Sequence, residues 1–265
     1  IYMQVIWAIG ISMIALAALV WLPRPLLIGL ALVIIGGHNL LDGVHCAAGS
    51  AWHIPWTILH ERSWIEVSDT LRLRTTYPVL PWIGVIALGY SLGPWFSGAM
   101  PAARRQRYLL LAGICALVGF GVLRTINGYG EAPWHSHDSP VQTWMSFFNI
   151  TKYPPSLLFL ALTLGVGLLL LLAFERAGQR RWIDILAVFG AAPMFFYLLH
   201  LYVLKVLYVM GVSLFGLNQG THFGFDSVGA VWLVALLLPL ALYLPVRWFA
   251  RLKARRRDIA WLKYL

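Results

Sequence analysis

The sequence predicts an all-α fold, a polytopic integral membrane bundle of about seven transmembrane helices. Hydrophobic residues make up 60% of the 265 residues and charged residues only 11%, whereas a soluble domain carries roughly a quarter charged residues. The apolar residues also gather into runs of roughly 20, the length that crosses the hydrocarbon core of a bilayer as a helix. These observations exclude an ordinary soluble enzyme.

Seven apolar runs are long enough, or nearly long enough, to span a membrane. The second is marginal in length and ends in Gly36 and Gly37, which favours a tilted or broken helix. The fifth begins at Pro154-Pro155, because proline is well tolerated in the first turn of a helix. The sixth is interrupted by Pro193. The predicted spans are residues 3–22, 25–41, 77–96, 108–126, 155–174, 185–210 and 228–249.

The basic residues predict which way these spans run. Fourteen of the twenty Lys and Arg residues fall in the first, third and fifth connections and in the C-terminal tail. The positive-inside rule makes these segments cytoplasmic. We therefore expect residues 1–246 to form a transmembrane bundle with outer loops at 42–76, 127–154 and 211–227. Residues 247–265 are expected to form a basic, amphipathic cytoplasmic tail.

The outer end of the second span carries one candidate for catalysis. His38 and Asp42 are four residues apart, so on an α-helix they share a face and could pair, with Asn39 beside them. A carboxylate that orients an imidazole is the arrangement used in general-base catalysis. The alternative is a helix-capping cluster that ends at Gly43.

The sixth span carries a second candidate. Tyr197 and His200 are three residues apart and face the same way, and Lys205 follows five residues later. A histidine in hydrocarbon would be neutral and able to accept a proton. The alternative is a histidine that only hydrogen-bonds a neighbouring helix.

A cationic patch is predicted on the outer face. Arg124 and Asn127 close the fourth span, and Lys152 and Tyr153 approach from the next loop. The planar guanidinium of Arg124 would suit a carboxylate, a phosphate or a tetrahedral oxyanion. The alternative is an arginine that extends to the membrane edge without binding anything.

Metal and nucleic-acid sites are not expected. His135, His137 and Asp138 lie within four residues but lack the second half of a metal site. The formal net charge of +10 follows from the topology of the basic residues and does not indicate a nucleic-acid partner. Sequence motifs of soluble hydrolases, proteases and nucleotide-binding proteins are missing.

Five stretches together resemble a known family. They are QVIWAIGISMI (4–14), GGHNLLDG (36–43), YPVLPWIGVIALGY (77–90), FFNITKYPPSLLFLALTLG (147–165) and FGAAPMFFYLLHLY (189–202). In this order they resemble the bacterial membrane proteins grouped with the heparan-α-glucosaminide N-acetyltransferase catalytic domain. The resemblance implies a multi-pass acyltransferase of the bacterial inner membrane, which moves an acetyl group from cytoplasmic acetyl-CoA to an extracytoplasmic sugar or glycan.

The resemblance also bears on the roles of particular residues. The family normally begins with further spans, bearing an Arg-Gly segment and a histidine proposed to handle the acetyl group, and these would precede Ile1. The remaining catalytic candidates are His200, His38, Asp42 and Lys152, and the candidates for substrate binding are Arg124, Asn127, Asn39, Tyr153 and Tyr197. The expected partners are the lipid bilayer and a glycan or lipid-linked sugar, with a homo-oligomer or a larger membrane complex left open.

Two other functions remain open from the sequence. His200 and Lys205, near the break at Pro193, could line the path of a transported solute. The chain could also be a non-catalytic subunit that packs beside a larger complex.

Overall fold

The computed structural model describes residues 1–47, 49–68 and 70–264. The protein is mostly helical, with 68% of its residues in helices and little sheet. The chain forms two compact units, Ile1–Arg176 and Ala177–Leu265. Each is described separately below.

Among its described residues, the first unit contains five helices of 12 to 25 residues and two short ones. The five are α1 (Val5–Leu19), α2 (Arg24–Gly37), α4 (Leu80–Ser91), α5 (Ala102–Ile126) and α7 (Leu157–Ala177). The short helices are α3 (His53–Leu59) and α6 (Pro140–Phe148). A 3₁₀ turn, His38–Leu41, extends α2, and another, Gly93–Phe96, follows α4. Helix α5 starts six residues before the predicted span, because the arginines preceding Tyr108 also favour helix.

The second unit contains α8 (Arg181–Ala191), α9 (Pro193–Phe215) and α10 (Val228–Arg255). The predicted sixth span is divided between two helices at Ala192, whose φ of −139° and ψ of 57° lie outside the helical region. Helix α10 continues to Arg255, past the boundary at residue 246 that the sequence predicts. The core of this unit contains Leu242, Val246 and Phe249.

Within the described residues, five helices are long and apolar enough to cross a membrane. They are Arg24–Leu41, Ala102–Ile126, Leu157–Ala177, Pro193–Phe215 and Val228–Arg255. The prediction of a membrane-embedded helical protein is confirmed to this extent. The other two predicted spans correspond to shorter apolar helices, Val5–Leu19 and Leu80–Phe96.

Small residues let the long helices of the first unit approach closely. A Cβ placed on Gly113 of α5 would lie 2.8 Å from the side chain of Leu169 on α7, and 3.2 Å from the carbonyl oxygen of Gly165. Near the start of α5 and the end of α7, Arg105 donates two hydrogen bonds of 2.8 Å to the carboxylate of Glu175. Helices α5 and α7 are therefore joined both by close packing and by a bidentate ion pair.

A three-stranded sheet, which the sequence analysis did not predict, lies beside the first unit's helices. Its strands are β1 (Tyr2–Met3), β2 (Trp64–Ser68) and β3 (Leu71–Thr75), in the order β1-β3-β2. Strand β3 pairs in parallel with β1 and antiparallel with β2. Assigning Met3 to the first span was therefore wrong, because its backbone pairs with Thr75. Alternation of apolar and basic residues along β3 is the period-two pattern of a strand.

Candidate functional site

A polar cavity of about 570 Å³ lies at one end of the first unit. At this end α2 and α5 finish and α7 begins. The cavity wall combines residues from four stretches of the sequence: the segment after α2, the segment after α3, the segment after α5, and the segment before α7. Its ionisable lining residues are Asp42, His45, His60, Glu61, Arg62, Tyr129 and Glu131.

An aspartate–histidine pair forms part of the wall. Nε2 of His60 lies 3.0 Å from Oδ1 of Asp42, and the other carboxylate oxygen accepts a 2.8 Å hydrogen bond from Nδ2 of Asn39. Asn39 in turn accepts a 2.8 Å hydrogen bond from the backbone N–H of Leu157, the first residue of α7. Only 4% of the His60 side chain is exposed, whereas 52% of the Asp42 side chain is. Asp42 is thus held on both sides while it still faces the cavity.

The position of Asp42 sets the tautomer of the His60 ring. Because a carboxylate can only accept, Nε2 carries the hydrogen. Nδ1 then holds the free lone pair, and it is buried with no hydrogen-bond partner among the described residues. Burial lowers the pKa of His60 from its ordinary 6.5, and the opposing influence of the Asp42 charge does not reverse the shift. His60 is therefore a neutral imidazole with an unused basic nitrogen.

His38 does not form the predicted pair with Asp42. Its Nδ1 lies 2.9 Å from the carbonyl oxygen of Ile35, and its Nε2 lies 2.8 Å from that of Pro155. The prediction was wrong because the chain tightens from α-helix to a 3₁₀ turn at His38. In a 3₁₀ turn side chains three residues apart are aligned, so Asp42 meets Asn39 instead. His38, which is 2% exposed, ties the end of α2 to the start of α7.

Two glutamates of the cavity wall differ in their surroundings. Oε1 of Glu61 lies 3.4 Å from Nδ1 of His45, while its Oε2 is buried and unpartnered within the part of the chain that the structure describes. Glu131 accepts four hydrogen bonds, from the N–H groups of Ala132 and Thr151 and from the hydroxyls of Thr151 and Ser156. Burial acts to raise the pKa of Glu131, but these hydrogen bonds outweigh it and lower the pKa.

Two cations meet around Tyr153 next to the cavity. The guanidinium carbon of Arg62 lies 5.5 Å from the centre of the Tyr153 ring, and Nζ of Lys152 lies 5.2 Å from it. The hydroxyl groups of Tyr153 and Tyr77 are 3.0 Å apart. That hydrogen bond, followed by the nearby Lys152 and Arg62 charges, lowers the pKa of Tyr153 against the effect of burial. A cationic patch does form around Lys152, but its second member is Arg62.

Arg124, predicted to contribute to that patch, instead organises the loop after α5. It is 2% exposed, and its guanidinium donates to the carbonyl oxygens of Phe147, Ala132, Ser146 and Asn149 at distances of 2.7 to 3.1 Å. Nearby, the side chain of Asn127 exchanges two 2.9 Å hydrogen bonds with the backbone of Trp134. Neither Arg124 nor Asn127 lines the cavity.

The remaining candidates lie elsewhere. His200 and Tyr197 belong to the second unit. There, Nδ1 of His200 lies 3.2 Å from the carbonyl oxygen of Phe196, and the rings of His200 and Phe196 stack with their centroids 5.5 Å apart. Their catalytic and binding roles stay predictions. His135 and His137 are exposed. No group of three His, Cys, Asp or Glu side chains placed to hold a metal ion occurs in residues 1–47, 49–68 and 70–264.

Sequence reasoning missed His60, Glu61, Arg62 and Glu131. The first three are consecutive ionisable residues that follow an apolar helix, a signal that could have been weighed. Glu131 carried no signal, because its significance depends on donors 20 to 25 residues later in the chain. Comparisons with protein-family models, curated proteins and solved structures found no match to this chain.

Proposed function

We propose that this protein is an integral-membrane acyltransferase in which the Asp42–His60 pair supplies the general base. The observation that carries the proposal is the buried imidazole of His60, which Asp42 orients through Nε2 and whose basic nitrogen no described residue uses. Acyl transfer needs such a base to remove the proton of an acceptor hydroxyl or amine. The resemblance to the bacterial N-acetyltransferase family supports the same reaction class and names acetyl-CoA as the donor.

The proposed step forms one bond and breaks one. For this step the acetyl-CoA thioester must be brought to the cavity from the cytoplasmic side, where the acceptor oxygen or nitrogen attacks its carbonyl carbon. The proton of the acceptor passes to Nδ1 of His60 once a local movement has uncovered that buried atom. The tetrahedral intermediate collapses with cleavage of the carbon–sulfur bond, and the thiolate of CoA leaves and is protonated. Arg62 and Lys152, which flank Tyr153 beside the cavity, supply positive charge for the negative charge that develops on the carbonyl oxygen.

The cavity itself is compatible with a small acceptor. Its volume of about 570 Å³ lies within the usual range of roughly 300 to 1,000 Å³ for small-molecule sites. Its wall offers hydroxyl, carboxylate and cationic groups, including the unpartnered Oε2 of Glu61. A sugar or a lipid-linked sugar, which presents many hydrogen-bonding groups, suits this wall better than an apolar ligand.

We place the cavity on the extracytoplasmic side of a bacterial inner membrane, with the C-terminus in the cytoplasm. This orientation rests on the distribution of basic residues, and it requires α1 and the Leu80–Phe96 segment to cross together with the five longer helices. Helix α1 has 15 residues, or about 22 Å at 1.5 Å per residue. It would cross with its polar flanks drawn into the interface or with local thinning of the bilayer.

The test is acetyl transfer by the protein reconstituted in liposomes, with radiolabelled acetyl-CoA and a panel of sugar and glycan acceptors. His60→Gln keeps an N–H that can reach Asp42 but has no basic nitrogen. We expect it to lower the rate by about 10²- to 10⁴-fold. His137→Gln, which changes an exposed histidine outside the cavity wall, is the matched control and is expected to keep the parental rate. Equal rates for both variants would refute the role of His60.

The pH dependence gives an independent check on the same pair. Because the pKa of His60 is lowered from 6.5, the rate should fall only when the pH drops below 6.5, as the imidazole becomes protonated. The charge of Asp42 raises that pKa, so Asp42→Asn should move the acid limb of the profile to still lower pH. If the acid limb lies at the same pH in Asp42→Asn and in the parent, the charge of Asp42 does not raise the pKa of His60, and the proposed pair is refuted.

One observation favours transport as a second candidate function. In the second unit an apolar cavity of about 720 Å³ is lined by Lys205 and Tyr208 of α9 and by Phe223. A lysine in the middle of a membrane-spanning helix is a functional candidate by default. Uptake of labelled solute into liposomes without acetyl-CoA, and its loss in Lys205→Ala, would support transport.

A further inference from the structure

Helix α6 presents an apolar face that the rest of the first unit does not cover. Val141, Trp144, Met145 and Phe148 follow the spacing i, i+3, i+4, i+7, which places them on one side of a helix. Their exposed fractions are 66%, 61%, 67% and 49%. The sequence of α6, PVQTWMSFF, contains no charged residue. Four large apolar side chains exposed side by side indicate a contact surface.

The opposite face of α6 is fixed to the protein. The hydroxyl of Thr143 accepts a 2.9 Å hydrogen bond from the N–H of His137, and that of Ser146 accepts one of 3.1 Å from His135. Arg124 holds the carbonyl oxygens of Ser146 and Phe147. These contacts fix the rotation of the helix about its axis, so the apolar face cannot turn inward.

The contacts of α6 also define its position along α5. The ring of Phe148 stacks on that of Phe120 of α5, with centroids 6.1 Å apart and planes 21° apart, and Phe147 meets Phe120 edge-on. Phe120 precedes Ile126, the last residue of α5, by six residues, or about 9 Å along the axis. The C-terminal end of α6 therefore lies beside the apolar part of a membrane-spanning helix and not above its end.

We propose that α6 is an interfacial membrane helix, and that the face formed by Val141, Trp144, Met145 and Phe148 is covered by lipid at the boundary of headgroups and acyl chains. Helix α5, beside which α6 lies, also carries exposed apolar side chains, with 52% of Val122 and 68% of Ile126 exposed. Trp144 is the residue type enriched at this depth. A short uncharged amphipathic helix anchored beside a span fits the interface of a bilayer.

This assignment revises the segment 127–154, which the sequence analysis treats as an outer loop. Arg124 bonds the carbonyl oxygen of Ala132 as well as those of α6, and residue 132 lines the polar cavity. The guanidinium of Arg124 is therefore hydrogen-bonded both to α6 and to a residue of the cavity wall. The inference stands on packing and exposure, and it does not depend on the acyltransferase proposal.

The experiment measures the surroundings of α6 in a bilayer. Cys46 and Cys115, the two cysteines of the chain, are replaced by serine. A nitroxide label is then attached to Met145→Cys, or to Gln142→Cys as the matched control on the polar flank of the helix. The protein is reconstituted in phosphatidylcholine–phosphatidylglycerol vesicles, and collisions of each label with oxygen and with a water-soluble nickel chelate are compared.

The label at 145 is expected to collide more with oxygen than with the nickel chelate, and the label at 142 to show the reverse preference. Nickel access at 145 equal to that at 142 would overturn the proposal, because the face would then lie in water. Loss of both kinds of collision at 145, with spin–spin broadening between labels, would also overturn it, because a second copy would cover the face. Val141→Cys repeats the measurement at a second position on the same face.

Discussion

Replacing Glu131 by glutamine should destabilise the first unit by about 3 kcal/mol. The carboxylate accepts two hydrogen bonds at each oxygen, and each oxygen receives one of them from a backbone N–H, that of Ala132 at Oε1 and that of Thr151 at Oε2. The amide NH₂ of glutamine must replace one of these oxygens and so faces a backbone donor in either orientation. An unsatisfied buried donor costs about 1–3 kcal/mol, and bonds to a neutral acceptor are weaker than bonds to a carboxylate.

The assay is thermal unfolding of the reconstituted protein, with Glu66→Gln as the control. Glu66 forms an ion pair with Arg72 at 3.0 Å, but both side chains are about two-thirds exposed, so its loss should cost less than about 1 kcal/mol. For Glu131→Gln we expect a fall in Tm of about 6–12 °C. Equal Tm values for the two variants would refute the proposed role of the four hydrogen bonds.

The dependence of this deficit on pH tests the same reasoning. The pKa of Glu131 is lowered from an ordinary value of 4.5, so the ionised carboxylate contributes stability above pH 4.5. That contribution is lost as the pH falls through the lower pKa of the folded state. The difference between the parent and Glu131→Gln should therefore shrink below pH 4.5. A deficit that stays constant from pH 7 to pH 3.5 would contradict this account.

Two further substitutions test the packing of the helices and the loop after α5. Gly113→Ala places a Cβ 2.8 Å from the side chain of Leu169, which would push α5 away from α7. We expect the free energy of unfolding, measured by thermal unfolding, to fall by about 1–3 kcal/mol. Gly119→Ala, with no described atom within 4 Å of the new Cβ, should be neutral or stabilising by up to about 1 kcal/mol, and an equal loss in both would refute the close contact. Arg124→Lys keeps the charge, but its ammonium has only three donors for four carbonyl oxygens. We therefore expect a loss of about 3 kcal/mol and faster proteolysis within residues 127–154. Arg107→Lys, at an exposed position of the same helix, is the control, and equal cleavage rates would contradict the role of Arg124.

The long apolar helices were predictable because their signal is local. A run of about 20 apolar residues is visible in the sequence without knowledge of any partner, and the predicted end of the fourth span at Ile126 coincides with the end of α5. The division at Ala192 was less visible. Pro193 marked it, but the sequence alone did not show that two separate helices meet there.

The site was less predictable because its contacts are distant in the chain. Asp42 and Asn39 were found, but the prediction assumed α-helical geometry, and a single 3₁₀ turn changed which residues align. The partner of Asp42 is His60, 18 residues later. The role of Arg124 was equally hidden, since four backbone carbonyl groups, which any residue can supply, satisfy it.

The bonds made by Arg124 have a consequence for the order in which the protein can assemble during biosynthesis. All four acceptors lie 8 to 25 residues after Arg124, so the segment after α5 can close before α7 has left the ribosome. His38 and Asn39, by contrast, bond groups 117 and 118 residues later. These bonds form only once α7 has been inserted beside α2. One wall of the cavity can therefore be ready early, while the cavity as a whole is completed by the arrival of α7.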